Sequence, residues 1–428
     1  MMRMAPAFMT RLRMSTLLVS ISGFVAISFG GFAWALTGNV IDARTHAPIA
    51  GATVVASNES SLSDVNGDFA LHSSSTRISA RAPGYRRADA EASGNGPVTL
   101  ALAPFRPKAV YLSAYGINSE SLRRPALALA RSTVINALVI DVKDDRGLSP
   151  YRSAAREAIG ATSRAMVHLP DFKRFSARLA ELRGTDLYLI GRIVVFKDDP
   201  LADAHPNWVV RDASGRPWRD REGLQWTDPF SHDVWRHNLD IAEEAARLGF
   251  DEIQFDYVRF PDASGLRFAQ SNSRSNRTAA IVGFLSAARE RLTPYNVFVS
   301  ADIFGYVCWN LDDTSIGQEI NTLGQSVDYI SPMLYPSGFT WGLPGCVNPV
   351  ADPAQIVRRS LAEAKQRTGL PGVRFRPWLQ AFRDYAFDHR EFGAQAIRAQ
   401  VQAAEAADTD GWMLWNPRNR YDPAELPR

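Results

Sequence analysis

Cysteine is nearly absent from this sequence of 428 residues, which contains only Cys308 and Cys346. The two form no Cys-x-x-Cys spacing, so a metal site built on thiolates is not predicted. In an oxidising compartment they can form one disulfide, and two free thiols fit the sequence equally well. The sequence alone leaves both alternatives open.

Motifs for several other chemistries are also missing. Only seven histidines occur, and none lies in a His-x-His pattern at the end of a predicted strand, which argues against a histidine-based metallohydrolase. There is no Gly-x-Ser-x-Gly nucleophile elbow. The net charge is only +3 and no basic block occurs, so a nucleic-acid partner is not predicted. No metal or cofactor is predicted.

Apolar and charged residues occur at the frequencies of a folded protein. Hydrophobic residues make up 46% of the chain and charged residues 22%, which indicates a large core rather than extended disorder. The length exceeds that of one ordinary domain. It predicts two folded units preceded by a targeting segment.

The first 35 residues have the pattern of an export signal. Arg3, Arg11 and Arg13 form a positive region, residues 17–32 are uncharged and largely apolar, and Ala33-Trp34-Ala35 fits a cleavage site before Leu36. An uncleaved membrane anchor is the alternative. Either interpretation places the rest of the chain outside the cytoplasm: periplasmic, extracellular or anchored to the envelope.

Residues 36–105 show short apolar stretches separated by turn residues, which predicts a small all-β sandwich. The motifs are G-x-V-x-D from Gly38, P-I-x-G-A-x-V from Pro48, S-D-x-x-G-x-F from Ser63 and A-P-G-Y from Ala82. They resemble those of carboxypeptidase-regulatory-like β-sandwich modules. The resemblance implies an accessory module without catalytic residues. The proline-containing stretch at 104–107 is interpreted as a linker.

From residue 108 to 428, apolar β-rich runs alternate with helical stretches. The runs are apolar on both faces, as parallel strands covered by helices must be. Eight such units predict a (β/α)₈ TIM barrel. An open doubly wound sheet is less favoured, because no glycine-rich phosphate turn follows the first strand. The predicted strands are 109–114, 137–142, 187–195, 252–258, 297–303, 329–334, 374–379 and 411–415.

Two carboxylates stand where barrel strands end, which is where active sites of this fold lie. Asp256 follows the fourth apolar run and Asp302 the fifth, so both can line one pocket. Buried carboxylates are unfavourable unless paired or functional. Glycoside hydrolysis needs two such groups, one to donate a proton and one to attack carbon or activate water. The structural alternative is a buried ion pair with Arg192 or Arg259.

Other polar and aromatic residues at the strand ends are predicted to bind substrate. Asp141 is one of them, although it could equally pair with Lys143 or Arg192 as part of the scaffold. Trp208, Trp218 and Trp226 lie in an insertion after the third strand, where they can stack on sugars or simply pack the insertion. The predicted substrate-binding residues are Asp141, Arg192, Arg259, Tyr335, Trp378, Gln380, Trp415 and Asn416.

The two acids are predicted to have different roles. Arg259, near in sequence, and Arg192, on the neighbouring strand, can keep Asp256 ionised as a nucleophile or anionic stabiliser. Asp302 is flanked by Ala301 and apolar residues with no cation close in sequence. An apolar setting next to the charge of Asp256 should raise its pKa, as a general acid requires.

Several strings together resemble a bacterial family of unknown function that is described as a glycoside hydrolase domain. They are GFDEIQFDYVRFP at 249–261, WTDP at 226–229, ISPMLYP at 330–336, RPWLQ at 376–380 and LWN at 414–416. The resemblance covers essentially all of residues 108–428. It implies a barrel related to alpha-amylase-type glycosidases, in which a strand-four Asp is the nucleophile and a strand-five acid protonates the leaving group. Asp256 and Asp302 match these positions, with Asp302 standing where Glu is usual.

The sequence therefore predicts an exported glycoside hydrolase with a carbohydrate substrate. The alternative is a non-catalytic carbohydrate-binding barrel of the cell envelope, which the β-sandwich and the aromatic insertion would also suit.

Overall fold

The structure is a computed structural model that describes residues 35–92, 96–162 and 169–428. The predicted signal or anchor segment lies outside the described residues, apart from Ala35. Within the described ranges, no helix combines the length and the apolar character needed to span a membrane.

The N-terminal part is a small β-sandwich, as predicted. One sheet has the order β4-β1-β7 and the other the order β3-β2-β5-β6. Residues from both sheets, among them Val40, Phe69, Val54 and Ile78, share one buried core. The strands are Ala35–Asp42 (β1), Thr53–Ala56 (β2), Glu59–Leu62 (β3), Asp68–His72 (β4), Arg77–Arg81 (β5), Ala88–Glu91 (β6) and Val98–Leu102 (β7).

Eight parallel strands follow and close into a barrel, which confirms the predicted fold and excludes the doubly wound alternative. Strand β15 pairs with β8, and each of the others pairs with its neighbour in sequence. The strands are Lys108–Leu112 (β8), Ala137–Lys143 (β9), Tyr188–Val194 (β10), Glu252–Asp256 (β11), Phe298–Phe304 (β12), Tyr329–Met333 (β13), Trp378–Gln380 (β14) and Trp412–Trp415 (β15).

Helices surround the barrel, and many of the residues at their ends are ones that commonly cap helices. In α6, for example, the Ser231 side chain accepts from the Val234 amide, and Gly249 ends the helix with φ of 94°. The helices are Ala114–Asn118 (α1), Glu120–Ser132 (α2), Ala154–Ala158 (α3), Phe172–Arg183 (α4), Asp199–Ala204 (α5), His232–Leu248 (α6), Arg274–Leu292 (α7), Ile320–Leu323 (α8), Pro353–Thr368 (α9) and Ala394–Ala406 (α10).

The seventh barrel strand differs most from its predicted range of 374–379. It begins only at Trp378, and residues Gly372–Arg374 form a short 3-10 helix instead. Pro377 has no N–H to donate to a ladder, which limits pairing at this point. The carboxyl end of the strand, which carries Trp378 and Gln380, still forms part of the barrel.

Strand β11 shows how the sequence places polar groups inside the barrel. Side chains alternate between the two faces of a strand. Ile253 and Phe255 therefore point outward into the core between strands and helices. Glu252, Gln254 and Asp256 point inward, and all three are buried. Asp256, the last of them, arrives at the carboxyl end of the barrel.

The β-sandwich contacts the opposite end of the barrel. Arg81, which is 2% exposed, donates to Asn296 at 2.8 Å and lies 3.6 Å from Asp328. Asn296 and Asp328 immediately precede the strands β12 and β13. The sandwich is thus attached away from the carboxyl ends of the strands.

Cys308 and Cys346 are both free thiols, so of the two alternatives the structure shows the unpaired one. Cys308 is fully buried behind strand β12, and Cys346 is half-buried in the loop after β13.

Candidate active site

A pocket of about 260 Å³ opens at the carboxyl ends of the barrel strands. Strands β10 to β15 and the loops after β11, β12, β13 and β14 contribute its walls. Six of the residues singled out from the sequence line it: Arg192, Asp256, Arg259, Tyr335, Trp378 and Trp415.

Arg192 lies at the floor of the pocket and holds two carboxylates. Its Nε and Nη2 donate to Asp256 Oδ2 at 3.0 and 2.6 Å, and its Nη1 donates to Asp141 Oδ1 at 2.6 Å. All three side chains are buried. Arg192 therefore supplies the counter-charge for Asp256, and Asp141 orients Arg192.

Asp302 stands next to this group. Its Oδ1 accepts a hydrogen bond of 2.8 Å from the Trp378 indole, and its Oδ2 lies 4.0 Å from Arg192 Nε. Because the same Nε is 3.0 Å from Asp256 Oδ2, the two carboxylate oxygens are at most 7.0 Å apart. The structure thus brings the two predicted acids into one site.

The protonation of Asp302 follows from its surroundings. Its side chain is 1% exposed, and Oδ2 has no hydrogen-bond partner among the described residues. Burial first, and then the charge of Asp256, raise the pKa of Asp302 well above its ordinary value, although Arg192 and Trp378 act in the opposite direction. These surroundings favour the protonated form of the Asp302 carboxyl.

The backbone after Asp256 fixes the orientation of its carboxylate. Tyr257 adopts a left-handed conformation with φ of 47°, which is uncommon for a residue with a side chain. In this conformation its N–H donates to Asp256 Oδ1 at 2.6 Å. Together with Arg192, this bond gives both Asp256 oxygens a donor.

Tyr111 is a part of the site that sequence reasoning missed. Its hydroxyl donates to Asp141 Oδ2 at 2.5 Å, and its ring stacks on Trp415 with centroids 4.0 Å apart. Burial raises the pKa of Asp141 to about 6, against the opposing effects of Arg192 and Tyr111. The only signal in the sequence was its position on an inward face of the first barrel strand.

Asp141 itself does not line the pocket and pairs with Arg192 rather than with Lys143. The Lys143 ammonium is fully buried and binds Asp198 at 2.7 Å. Asp141 therefore reaches the pocket only through Arg192, whose position it fixes.

Gln380 and Asn416 also lie outside the pocket lining. Gln380 is fully buried and holds the loop after β13, accepting from the Ser337 amide at 3.0 Å and donating to its hydroxyl at 2.6 Å. Asn416 donates to the carbonyls of Ala381 and Arg420, both at 2.8 Å. These two residues shape the loops around the pocket.

The three tryptophans of the insertion after β10 differ in how far they are buried. Trp226 is 3% exposed and packs against Tyr257, with centroids 5.5 Å apart. Trp208 stacks on His205 at 3.9 Å. Trp218 is half-buried and lines a second cavity of about 700 Å³. Within the pocket, Phe339 and the exposed Tyr385 add aromatic surface that the sequence did not identify.

Comparison with known proteins identifies the family. The profile of a family described as "Putative glycosyl hydrolase domain" matches residues 109–421. The chain belongs to this family. The recognition of the family from its strings is thereby confirmed, and the description of the family agrees with the predicted enzyme class, a hydrolase of glycosidic bonds.

Solved structures of known proteins show the same fold. The glycoside hydrolase domain of PgaB (BpsB) from Bordetella bronchiseptica is 16% identical, with a TM-score of 0.52 over 74% of this chain and 95% of that one. Beta-galactosidase from the psychrophilic Marinomonas ef1 is 10% identical, with a TM-score of 0.52 over 74% and 58%.

A hypothetical protein from Ruminiclostridium thermocellum is 36% identical over 45% of this chain and 96% of its own, with a TM-score of 0.39. A comparison with curated proteins gives no match.

Proposed function

We propose that the protein cleaves a glycosidic bond in a polysaccharide or oligosaccharide, with Asp256 as nucleophile or anionic stabiliser and Asp302 as general acid. One observation carries the proposal. A carboxylate neutralised by Arg192 lies on the pocket surface, at most 7.0 Å from a buried carboxyl whose pKa is raised. Glycoside hydrolysis requires this division of roles between two acids.

The separation is compatible with direct attack by Asp256. Carboxyl groups are about 5–5.5 Å apart in retaining enzymes and about 6.5–9.5 Å apart in inverting ones. The upper limit of 7.0 Å includes the retaining distance and only the lower end of the inverting range. In either case the proton of Asp302 passes to the leaving oxygen as the bond to the anomeric carbon breaks.

The walls of the pocket suit a sugar ring. Tyr335 and Trp415 are half-buried, and Trp415 is held by stacking on Tyr111 and by Arg192, whose guanidinium lies 5.0 Å from its ring centroid. Sugar rings present apolar C–H faces that pack on such aromatic surfaces. Asp302 does not itself line the pocket, but its Oδ2 lies 4.0 Å from Nε of the same Arg192 that binds Asp256, so a sugar bound over Arg192 would have both acids close to it.

Export completes the proposal. The basic residues, the apolar run and the small-x-small site within residues 1–35 support secretion or anchoring outside the cytoplasm. A polysaccharide of the cell envelope or the surroundings is then the accessible substrate. Fractionation of cells expressing the full chain, with sequencing of its N-terminus, tests this part.

Cleavage is tested by measuring reducing ends released from a panel of bacterial and plant polysaccharides. Asp256→Asn should abolish turnover and leave substrate binding within a few-fold, because the isosteric amide preserves shape and removes the negative charge. Asp312→Asn is the matched control, since Asp312 is exposed and lines neither this pocket nor the cavity next to it. Binding without turnover across the panel would contradict the proposal and support the carbohydrate-binding alternative.

A further inference from the structure

The pocket above the acid pair adjoins a second cavity. This second cavity, of about 700 Å³, lies under the insertion that carries Trp218. Tyr257 and Arg259 line both cavities, so they form the wall between them. A chain of sugars with one unit over Asp256 can therefore continue past Arg259 into the second cavity.

Two other cations that line the second cavity, Lys197 and Arg219, already have carboxylate partners, whereas the exposed Arg221 forms no ion pair with the described residues. Lys197 lies 3.1 Å from Asp220 and 3.0 Å from Glu222. Arg219 lies 3.1 Å from Asp199. These charges are neutralised within the protein and are poorly placed to attract an anion.

Arg259 differs from the exposed Arg221 in being half-buried and in lying against two aromatic rings. Within the described part of the chain it has no carboxylate within 4.0 Å, and this includes Asp262, which lines the same cavity. Among the described residues, its five N–H donors form one hydrogen bond, from Nη1 to the carbonyl of Phe260 at 3.0 Å. The side chain is half-buried and lines both cavities.

The guanidinium is held in place by aromatic rings. Its central carbon lies 4.9 Å from the Trp226 centroid and 5.1 Å from the Tyr257 centroid. Trp226 is itself anchored, because its indole N–H donates to Asp220 at 3.1 Å. A cation fixed between rings loses little conformational freedom when it binds a ligand, and its planar fork matches the two oxygens of a carboxylate or phosphate.

We propose that Arg259 binds an anionic substituent on the sugar next to the one held over Asp256, so that the substrate is an acidic polysaccharide. The substituent is a carboxylate or a phosphate, which present the same pair of oxygens to the guanidinium. This inference deepens the proposed function and rests on it for the position of the neighbouring sugar.

The test compares binding and cleavage of charged and neutralised polymers. The probes are polygalacturonate, alginate and hyaluronate, their carboxyl-reduced forms, and a phosphate-bearing wall polysaccharide. For the preferred acidic probe, Arg259→Met should weaken binding and raise KM by about tenfold or more, with a smaller change in kcat, because a charge-assisted pair is lost. Arg259→Lys should recover part of the loss, since it keeps the charge without the fork.

Arg216→Met is the matched control, because Arg216 is exposed in the same insertion, pairs with Asp212 and lines neither cavity. The Arg216→Met variant should keep its binding affinity and its KM within about twofold of the wild-type values. Carboxyl reduction of the probe should weaken binding to the wild type by the same factor as Arg259→Met, and the two changes together should add nothing further. If Arg259→Met weakens binding of the carboxylate polymers, the substituent is a carboxylate, and if it weakens binding of the phosphate-bearing polysaccharide, the substituent is a phosphate.

Equal loss of affinity for charged and reduced polymers in Arg259→Met would mean that Arg259 only supports the wall, and would overturn the inference. Preferred binding and cleavage of neutral polymers would overturn it as well, while the proposed function would stand. Arg259-dependent binding of an acidic polymer without cleavage would support the inference and contradict the hydrolytic role. Absence of binding to every acidic probe would refute the inference directly.

Discussion

Replacing Asp302 with asparagine should change how the stability of the barrel depends on pH. Burial and the charge of Asp256 raise the pKa of the folded Asp302 carboxyl. In the unfolded chain the same group has a pKa of about 3.9 and is ionised above about pH 5. Wherever the pH lies between these two pKa values, folding takes up a proton at this position, which the amide side chain of the variant cannot do.

The size of the effect follows from linkage. Where the folded state binds one more proton than the unfolded state, the free energy of unfolding falls by about 1.4 kcal/mol for each unit that pH rises. The fall begins near the unfolded pKa and continues until the folded carboxyl itself ionises. Above about pH 5, the Asp302→Asn variant should therefore gain up to about 1.4 kcal/mol relative to the wild type for each pH unit over which the folded carboxyl stays protonated.

Two other buried acids titrate in the same pH range. The pKa of Asp141 is raised to about 6 and that of Asp144 to about 7, both mainly by burial, and both groups are present in the two proteins being compared. The contribution of Asp144 to the pH dependence largely cancels in the difference, whereas Asp141 shares Arg192 with Asp302, so the difference reports on Asp302 together with its coupling to Asp141. The Trp378 indole keeps an acceptor, because the amide oxygen of asparagine can replace Asp302 Oδ1.

Urea unfolding followed by tryptophan fluorescence at pH 5, 6 and 7 measures the difference. Of the ten tryptophans only Trp34 precedes the barrel, so the signal reports on the barrel. The exposed Asp262 provides a control, and the Asp262→Asn curve should run parallel to the wild type. If the Asp302→Asn curve is also parallel, Asp302 is ionised in the folded protein at neutral pH and cannot be the general acid.

Three further outcomes follow from the same contacts. Arg192→Met should destabilise the barrel by about 3 kcal/mol or more, measured by urea unfolding, because two buried carboxylates lose their shared cation; an unchanged midpoint would contradict this. Trp415→Leu should raise KM by about tenfold and change kcat less, since the ring that stacks on Tyr111 is lost; an unchanged KM would remove Trp415 from the sugar site. A reducing agent should leave the thermal midpoint unchanged, because Cys308 and Cys346 are free thiols; a drop would show a disulfide.

The barrel was predictable because its determinants are local. Runs that are apolar on both faces, separated by capped helices, indicate buried parallel strands whatever the rest of the chain does. The end of strand β11 was predictable for the same reason. A polar residue at every second position, ending in Asp256, places a carboxylate on the inner face where the strand stops.

The sequence predicted two candidate cations for Asp256, Arg192 and Arg259, without deciding between them. Arg259 is close in sequence, but within the described residues it forms no ion pair with Asp256. Arg192 does, because β10 and β11 pair with Val194 opposite Asp256, and Arg192 lies two residues earlier on the same face. That register depends on the closure of the whole barrel, which sequence proximity does not reveal.

The roles of Gln380 and Asn416 could not be derived from strand positions either. Both stand at strand ends, but the loops that fold over them take up their hydrogen bonds. Loop paths depend on long-range packing and vary more than the strands they connect. The same holds for Phe339 and Tyr385, which come from such loops to line the pocket.

Cleavage of aryl glycosides with leaving groups of different acidity tests the central assignment most directly. Asp302→Asn should lose most of its rate on a poor leaving group and keep much of it on a pre-activated one, which needs no proton, and the basic limb of its pH–rate profile should vanish. Asp256→Asn should lose activity on every leaving group. The reverse pattern would mean that the two roles are exchanged, and equal losses in both variants, whatever the leaving group, would contradict an acid and nucleophile pair.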